Sequence, residues 1–119
     1  MGYLPRQGSG LDETLEVHQL FSREQQQEAR TTLGTFKVSG SIFFQPLGSL
    51  SEGQQRKVAL VKLILEHPNF LILDEPTTHL DYQSLEMLEA MLQDFGKTVL
   101  FTSHDRYFSE RVAQQKILL

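Results

Sequence analysis

Cysteine and tryptophan are both absent from this 119-residue chain, and proline occurs only four times. Without cysteine, neither a disulfide framework nor a thiolate metal site is possible. No apolar run approaches the length needed to span a membrane, and the N-terminus has no signal-peptide pattern. We therefore expect a soluble protein of the reducing cytoplasm.

Positive charge is also scarce, because 11 lysines and arginines face 15 acidic residues and the net charge is −4. A general electrostatic attraction to nucleic acid is therefore not expected of this chain alone. The length suits one compact domain and is too short for two large ones. Composition leaves the activity open, so the motifs must decide it.

The most informative stretch of the sequence is Phe70–Asp81. Four apolar residues, Phe70 to Leu73, run without alternation and are followed at once by Asp74 and Glu75. Such a run predicts a strand buried on both faces of a parallel sheet, and ligands in such folds bind at the carboxyl ends of the strands. An isolated Asp-Glu pair is more often only the start of a solvated turn, so the flanking sequence has to decide.

Two helices are predicted in the first third of the chain. Asp12 is expected to cap a short helix over Glu13–Phe21. Ser22 begins a capping-box pattern, which predicts a second helix that reaches about Leu33. Gly34 then provides a left-handed C-cap. A loop with a short turn is expected to follow.

The helix after this loop is the strongest one predicted. Ser51 to Gln54 forms a second capping-box pattern, and the residues that follow are apolar nearly all round, as in a buried helix. Pro68 disfavours helical geometry at His67 and ends the helix. A strand over Asn69–Leu73 follows directly.

Helices and strands alternate through the rest of the chain. Asp81 caps a helix that Gly96 ends, and Asp105 caps a short helix to about Arg111. The other expected strands are Met1–Pro5, Thr98–Ser103 and Lys116–Leu119. This alternation predicts an α/β fold with a parallel sheet.

Four motifs in a fixed order resemble those of the ATP-binding-cassette (ABC) ATPases. These are the signature sequence at Leu50–Gln54 (LSEGQ), the Walker B strand at Leu71–Pro76 (LILDEP), the D-loop at Leu80–Asp81 and the switch-histidine loop at Ser103–Asp105. Each motif is weak alone, but together they are specific, because each falls in the required strand or helix context. The resemblance implies a partial P-loop NTPase (RecA-like) sheet with an ABC helical subdomain.

A finer resemblance is to the ABC-F class, whose members have no membrane domain. Glu75–Asp81 (EPTTHLD) and Ser103–Phe108 (SHDRYF) are similar to motifs of that class, and Ala29–Gly40 resembles its helical subdomain. The resemblance implies ATP hydrolysis coupled to work on the ribosome, in translation control or in antibiotic resistance by ribosome protection. It also implies pairing with a second nucleotide-binding domain.

The resemblance assigns roles to three residues at strand ends. Asp74 would bind Mg²⁺, and Glu75 would polarise the water that attacks the γ-phosphate of ATP. His104 would contact that phosphate. A lone histidine at a strand end is more often structural, and only its context reverses this interpretation.

Four further residues belong to helix starts. Ser51, Gly53 and Gln54 would present helix N-terminal amides to the γ-phosphate held by the opposite domain, because such a terminus favours an anion. Asp81 would lie at the seam between the two domains. It also has a complete structural explanation as an N-cap, and both roles can hold.

The chain departs from the family pattern in three places. Glu52 replaces the first glycine of the common signature, and a carboxylate near a phosphate is repulsive unless it points away. In the glutamine-loop-like segment Arg6 follows the proline, so the metal-contacting glutamine would be Gln7, one place late. No phosphate-binding loop of the form GxxxxGK[ST] occurs, because Gly96–Thr98 ends a helix and begins a strand.

These departures lead to expectations for the whole chain. The chain is expected to start inside a domain, with a glutamine-loop-like segment, helical subdomain and signature helix in residues 1–66 and the Walker B, D-loop and switch-histidine half in 67–119. We expect negligible ATPase activity from the chain alone, and self-association through exposed sheet edges. The alternatives are part of a transporter's nucleotide-binding subunit, and a non-catalytic module that only pairs with another domain.

Overall fold

A four-stranded parallel sheet forms the centre of the molecule. The computed structural model describes residues 2–78 and 80–103, and the backbone of residues 117–118. The strands are β1 (Gly2–Leu4), β2 (Phe70–Asp74), β3 (Thr98–Thr102) and β4 (Ile117–Leu118), and they lie side by side in that order. The predicted parallel α/β fold is confirmed.

The central pair of strands sets the position of the two acids. Asp74 is the last residue of β2, one residue later than predicted, and it lies opposite Thr102 of β3. Leu71 and Leu73 are fully buried, whereas Phe70 and Ile72 on the other face are only half-buried. The expectation of full burial therefore holds for one face of β2.

In the part of the chain that the structure describes, three α-helices accompany the sheet: α1 (Gln26–Thr35), α2 (Glu52–Leu65) and α3 (Tyr82–Asp94). The predicted caps of α2 and α3 are both present, since Ser51 accepts from the Gln54 amide and Asp81 accepts from the Ser84 amide. None of the helices in residues 2–78 and 80–103 is long and apolar enough to cross a membrane.

The helix predicted over Glu13–Phe21 does not form, and the chain makes only a short 3-10 turn at Val17–Leu20. The Asp12 carboxylate accepts hydrogen bonds from the amide and the hydroxyl of Thr14, at 2.9 and 2.6 Å. The segment pairs with a distant part of the chain. The amides of Val17, Leu47 and Gly48 donate to the carbonyls of Gln45, Leu15 and Glu13. Pairing over such a distance outweighs the local helix signal.

The second predicted helical segment begins after Ser22 as expected, but the predicted capping box and the C-cap at Gly34 are both absent. Residues 23–25 form a 3-10 turn without a side-chain cap from Ser22. The side-chain nitrogen of Gln25 donates instead to the distant carbonyl of Leu65 at 2.6 Å. At the other end Gly34 lies inside α1. Lys37 takes the left-handed position with φ of 68°, and the amide of Val38 bonds the carbonyl of Leu33.

One continuous apolar core lies between the sheet and the helices. Its largest fully buried members include Phe36, Leu47, Leu60, Leu88 and Phe101. The loop predicted for residues 35–48 is present and contains a 3-10 turn at Gly40–Phe44. The helix predicted after Asp105 lies outside the described residues.

Candidate functional site

The carboxyl end of β2 carries a small network of polar side chains. Asp74 Oδ1 accepts hydrogen bonds from the Thr102 hydroxyl at 2.8 Å and from Arg6 Nε at 3.3 Å. Thr102 comes from β3 and Arg6 from the bend after β1. Three neighbouring strands therefore place one residue each at this edge, as expected where parallel strands end.

These donors hold Asp74 in its charged form. The Thr102 hydroxyl, as the largest influence, lowers the pKa of the Asp74 carboxyl, and Arg6 lowers it further. Partial burial opposes the shift without cancelling it. Asp74 is thus an ionised carboxylate with 27% of its side chain exposed.

Glu75 has an unusual backbone conformation. Its φ is 56°, in the left-handed region that residues other than glycine rarely adopt, and the residue is only 8% exposed. Its amide donates to both the carbonyl and the hydroxyl of Thr102, each at 3.1 Å. Strain of this kind, of order 1–3 kcal/mol, persists only where the surroundings fix it, and it is frequent at functional sites.

Arg56 of α2 does much of that fixing. The guanidinium donates to the carbonyls of Asp74 and Glu75, each at 3.2 Å. It also donates to the carbonyls of Pro5 at 2.6 Å and Gly8 at 3.3 Å. The residue is only 3% exposed. One buried cation therefore links α2, the bend after β1 and the turn after β2.

The sequence motifs did not identify Arg56. Its helical spacing is nevertheless informative, because Arg56, Leu60 and Ile64 lie four residues apart and share one face of α2. All three are buried. A cation on a buried stripe needs several acceptors, so its position alone indicates a structural hub.

The signature-like residues lie at the exposed start of α2, one turn before Arg56. Ser51 forms a complete capping box with Gln54: its hydroxyl accepts from the Gln54 amide at 3.1 Å, and its own amide donates to the Gln54 side chain at 3.0 Å. Gly53 is the second residue of the helix. This cap organises the helix terminus.

Asp81 lies on the other side of the turn that follows Glu75. Its carboxylate accepts from the Ser84 amide at 2.8 Å. The side chain of Ser84, followed by this amide bond, lowers the pKa of the Asp81 carboxyl. Lys37 and Lys57 contribute favourable charge. The N-cap explanation is therefore realised, and the carboxylate is kept ionised at an exposed position.

The two remaining candidates are less defined. Gln7 is exposed in the bend after β1, and it is its neighbour Arg6 that reaches Asp74. His104 lies outside the described residues, although Ser103 before it contacts Thr77 with the two hydroxyl oxygens 3.2 Å apart. The turn after β2 is thus joined directly to the residue that follows β3.

The chemistry of this edge fits a magnesium ion shared with a phosphate ligand. No group of three or more acidic or histidine side chains in residues 2–78 and 80–103 is arranged to hold a metal ion alone. Mg²⁺ bound beside phosphates needs only one or two protein carboxylates, with waters and phosphate oxygens as its other ligands. Asp74 fits that limited role: Thr102 and Arg6 both bond its Oδ1, and the metal would share the carboxylate with Arg6.

Comparison with solved structures agrees with the fold. The ATP-binding subunit of an ABC transporter superposes on 99% of this chain with a TM-score of 0.80 and 21% identity, and the match covers 54% of that subunit. A dimeric ATP-binding cassette bound to ADP and Pi matches over 99% of the chain, with a TM-score of 0.73 and 22% identity, and 57% of it is covered. Likeness at this identity establishes the P-loop NTPase fold.

Sequence comparison identifies closer relatives. YdiF of Bacillus subtilis is 51% identical over 94 residues, which cover 79% of this chain and 15% of YdiF. Human ATP-binding cassette sub-family F member 3 is 40% identical over 95 residues, covering 80% of this chain and 13% of that protein. EttA, the energy-dependent translational throttle protein of Escherichia coli K12, is 52% identical over 67 residues, covering 56% of this chain and 12% of EttA.

A family model confirms the relationship, since the model described as ABC transporter matches residues 1–78. The chain spans only a small part of the length of its curated relatives, so it corresponds to one piece of their sequence. The chain belongs to the ATP-binding-cassette family, and its relatives place it among the ABC-F proteins.

Proposed function

We propose that this chain supplies the signature helix and the catalytic carboxylates of an ATP-hydrolysing cassette. The observation that carries the proposal is the junction after β2, where ionised Asp74 is followed by Glu75 in a left-handed conformation. Arg56 and Thr102 fix the backbone of Glu75 from two sides. A turn that only began a solvated loop would need no such hydrogen bonds to its backbone.

In this proposal Glu75 orients and polarises the water that attacks the γ-phosphate of ATP, and the leaving group is ADP. Asp74 would hold Mg²⁺, which neutralises charge on the phosphates when it is bound. Thr102 keeps Asp74 ionised, and Arg56 holds the backbone from which the Glu75 side chain projects. His104 would contact the γ-phosphate.

The start of α2 would act on the nucleotide of a second cassette. The free amides after Ser51 and the helix dipole favour an anion, and Gly53 allows close approach of the backbone. Gln54 is committed to the capping box, so it would shape the terminus. Asp81 would lie at the seam between cassettes, and Gln7 beside the metal. In this scheme residues 1–66 carry the signature and residues 67–119 carry the carboxylates.

We further propose that the intact protein acts on the ribosome in the cytoplasm. Support comes from the similarity to EttA, which is named as a translational throttle protein. Translational control therefore has more support than antibiotic resistance. The chain is expected to pair with a second cassette, as the related cassette bound to ADP and Pi is dimeric.

A transporter subunit is the main alternative, because one solved neighbour is described as the ATP-binding subunit of a transporter. That neighbour is 21% identical, whereas the curated relatives are 40–52% identical and include a sub-family F protein. The ABC-F interpretation has the closer support. A non-catalytic pairing module remains the alternative if hydrolysis is absent.

The decisive experiment transfers this chain into a relative. The matching segment of YdiF is replaced by these residues, and steady-state hydrolysis of Mg-ATP is compared with that of unmodified YdiF. We expect the chimera to hydrolyse ATP at a rate within about tenfold of YdiF, because the substituted parts carry the same roles. The isolated chain should show no turnover, since it has no phosphate-binding loop.

Two results would contradict the proposal. One is a folded chimera, with the circular dichroism and melting temperature of YdiF, that hydrolyses no ATP while YdiF does. The other is hydrolysis of ATP by the isolated chain at a comparable rate. Sedimentation of the active chimera with ribosomes in the presence of ATP then tests the partner separately.

A further inference from the structure

A partly exposed aromatic cluster lies on the side of the molecule formed by α1 and the 3-10 turn at Gly40–Phe44. Phe43 is buried and stacks on Phe21 with ring centroids 6.5 Å apart. Phe44 meets Phe43 edge to face at 5.5 Å, and His18 lies 5.3 Å from Phe44. Phe44 nevertheless remains 51% exposed. The cluster is thus anchored at one end and open at the other.

A cation lies over this cluster. The guanidinium of Arg30 is 5.3 Å from the centroid of Phe44 and 5.7 Å from that of Phe43. This distance allows a cation–π contact, which orients the guanidinium without neutralising it. Aromatic and cationic surfaces are therefore presented together at one place.

A cavity of about 400 Å³ opens beside the pair. Besides the two phenylalanines and Arg30, its lining includes Arg23, Gln26 and Gln27, and no acidic residue. Helical spacing places Gln26, Gln27 and Arg30 on one face of α1. The positive charge of this face is notable in a chain whose net charge is −4.

We propose that this cavity and Phe44 bind a short single-stranded segment of RNA. A base stacks on the exposed ring of Phe44, and the adjoining phosphates pair with Arg23 and Arg30. The side-chain nitrogen of Gln26 donates to the carbonyl of His18 at 3.0 Å, which leaves its oxygen to accept from a ligand. This oxygen and the side-chain amide of Gln27 would bond 2′-hydroxyls, which distinguish RNA from DNA. The choice of RNA rests in part on the proposed translational function.

The charge of the whole chain limits the size of this contact. Two arginines neutralise few phosphates, and the remaining surface is acidic overall, so the chain has no wide basic face of the kind used for long nucleic acids. The surface therefore suits a flexible segment of a few nucleotides. Stacking contributes more to its affinity than charge does.

The test measures binding by the 119-residue chain without ATP. Fluorescence anisotropy follows a labelled oligouridylate of about twelve nucleotides, at several salt concentrations. Phe44→Leu keeps apolar bulk but removes the ring, and it should weaken binding about 5- to 100-fold. Arg30→Gln should weaken binding and lower the slope of log affinity against log salt by about one.

Two control variants carry matched changes elsewhere. Tyr3→Leu removes an equally exposed aromatic ring on β1, and Lys62→Gln removes a cation on α2. Both should bind the oligouridylate as the unsubstituted chain does. Circular dichroism confirms that each variant is folded.

Several outcomes overturn the proposal. One is the absence of saturable binding at low salt. Another is weakening by the control variants as large as that by Phe44→Leu and Arg30→Gln. The last two are an affinity for the matching oligodeoxythymidylate equal to that for oligouridylate, and competition by polyglutamate as strong as that by unlabelled oligouridylate. The first would leave no RNA site, and the others would reduce the contact to non-specific attraction. Because no ATP is present, failure here is distinct from failure of the chimera to hydrolyse ATP.

Discussion

At the scale of single residues, the candidate site depends on which groups surround two carboxylates. Asp74 is kept ionised by a hydroxyl from β3, and Glu75 is fixed through its backbone by Arg56 and Thr102. The sequence identified both acids from the strand that precedes them. It did not identify Arg56 or Thr102, because their hydrogen-bond partners lie between 18 and 51 residues away along the chain.

The first prediction concerns the charge of Asp74. Thr102→Val removes the hydroxyl that is the largest cause of the lowered pKa, so the Asp74 pKa should rise towards its ordinary value. NMR titration of the carboxyl carbon measures it. Thr98→Val, at the exposed start of the same strand, is the matched control and should leave the Asp74 pKa unchanged.

The same change has a consequence for stability against pH. A folded-state pKa below the unfolded value adds stability above about pH 4, and this is lost as the pH falls through the folded pKa. Thr102→Val should therefore reduce the loss of unfolding free energy between neutral and acidic pH. An unaltered acid dependence, measured by urea unfolding at several pH values, would contradict this account of Asp74.

The second prediction concerns Arg56. Arg56→Ala leaves four backbone carbonyls without their donor, and the free energy of unfolding should fall by at least about 2 kcal/mol. Arg56→Lys should recover only part of it, because one ammonium cannot replace a planar fork. Lys57→Ala, the neighbouring and more exposed cation, is the control and should change it by less than about 0.5 kcal/mol. If chemical denaturation gave the same loss of unfolding free energy for Arg56→Ala and Lys57→Ala, the structural role assigned to Arg56 would be refuted.

At the scale of elements, local signals predicted some helix ends and missed others. Ser51 and Asp81 cap their helices as expected, because an N-cap needs only residues two or three positions away. Asp12 and Gln25 behave differently from the prediction. Asp12 bonds within a turn while its neighbours pair across the chain, and Gln25 bonds the carbonyl of Leu65. A pattern of neighbouring residues cannot predict such bonds, because their partners are distant in the sequence.

Two glycines near α1 provide a test of its observed C-terminus. Gly34 is helical, and an added Cβ would meet its nearest neighbour, the Ser39 Cβ, at 3.9 Å. Gly34→Ala should therefore raise the free energy of unfolding by about 0.5–1 kcal/mol. Gly40 has φ of 68°, so Gly40→Ala should lower it by about 1 kcal/mol. Destabilisation by Gly34→Ala in denaturant melts would favour the originally predicted C-cap.

At the scale of the whole molecule, the order of secondary-structure elements was predictable and the extent of the sheet was not. Alternating helices and strands indicated a parallel α/β fold, and the caps fixed where α2 and α3 begin. The sheet has β1 at one edge of its described strands, with only three residues. Which strand pairs with which depends on the register between distant segments, such as Gly2 opposite Leu71.

The edge strand leads to a prediction about self-association. Tyr3 of β1 is 52% exposed, and an edge strand offers unpaired backbone groups to a second copy of the chain. We expect light scattering at high concentration to give a mass above that of one chain. Tyr3→Lys should lower this mass, because a charged edge resists pairing, whereas Phe44→Lys, at an equally exposed ring away from β1, should not. A single-chain mass at every concentration would refute edge pairing.

The catalytic role of Glu75 is tested most directly by turnover of the YdiF chimera carrying Glu75→Gln. If Glu75 polarises the attacking water, kcat should fall about 100-fold or more with little change in KM. Glu66→Gln, which alters an exposed carboxylate paired with Lys62, should leave both constants unchanged. A folded Glu75→Gln chimera whose kcat equals that of the Glu66→Gln chimera would contradict the assignment of Glu75 to the chemistry of ATP hydrolysis.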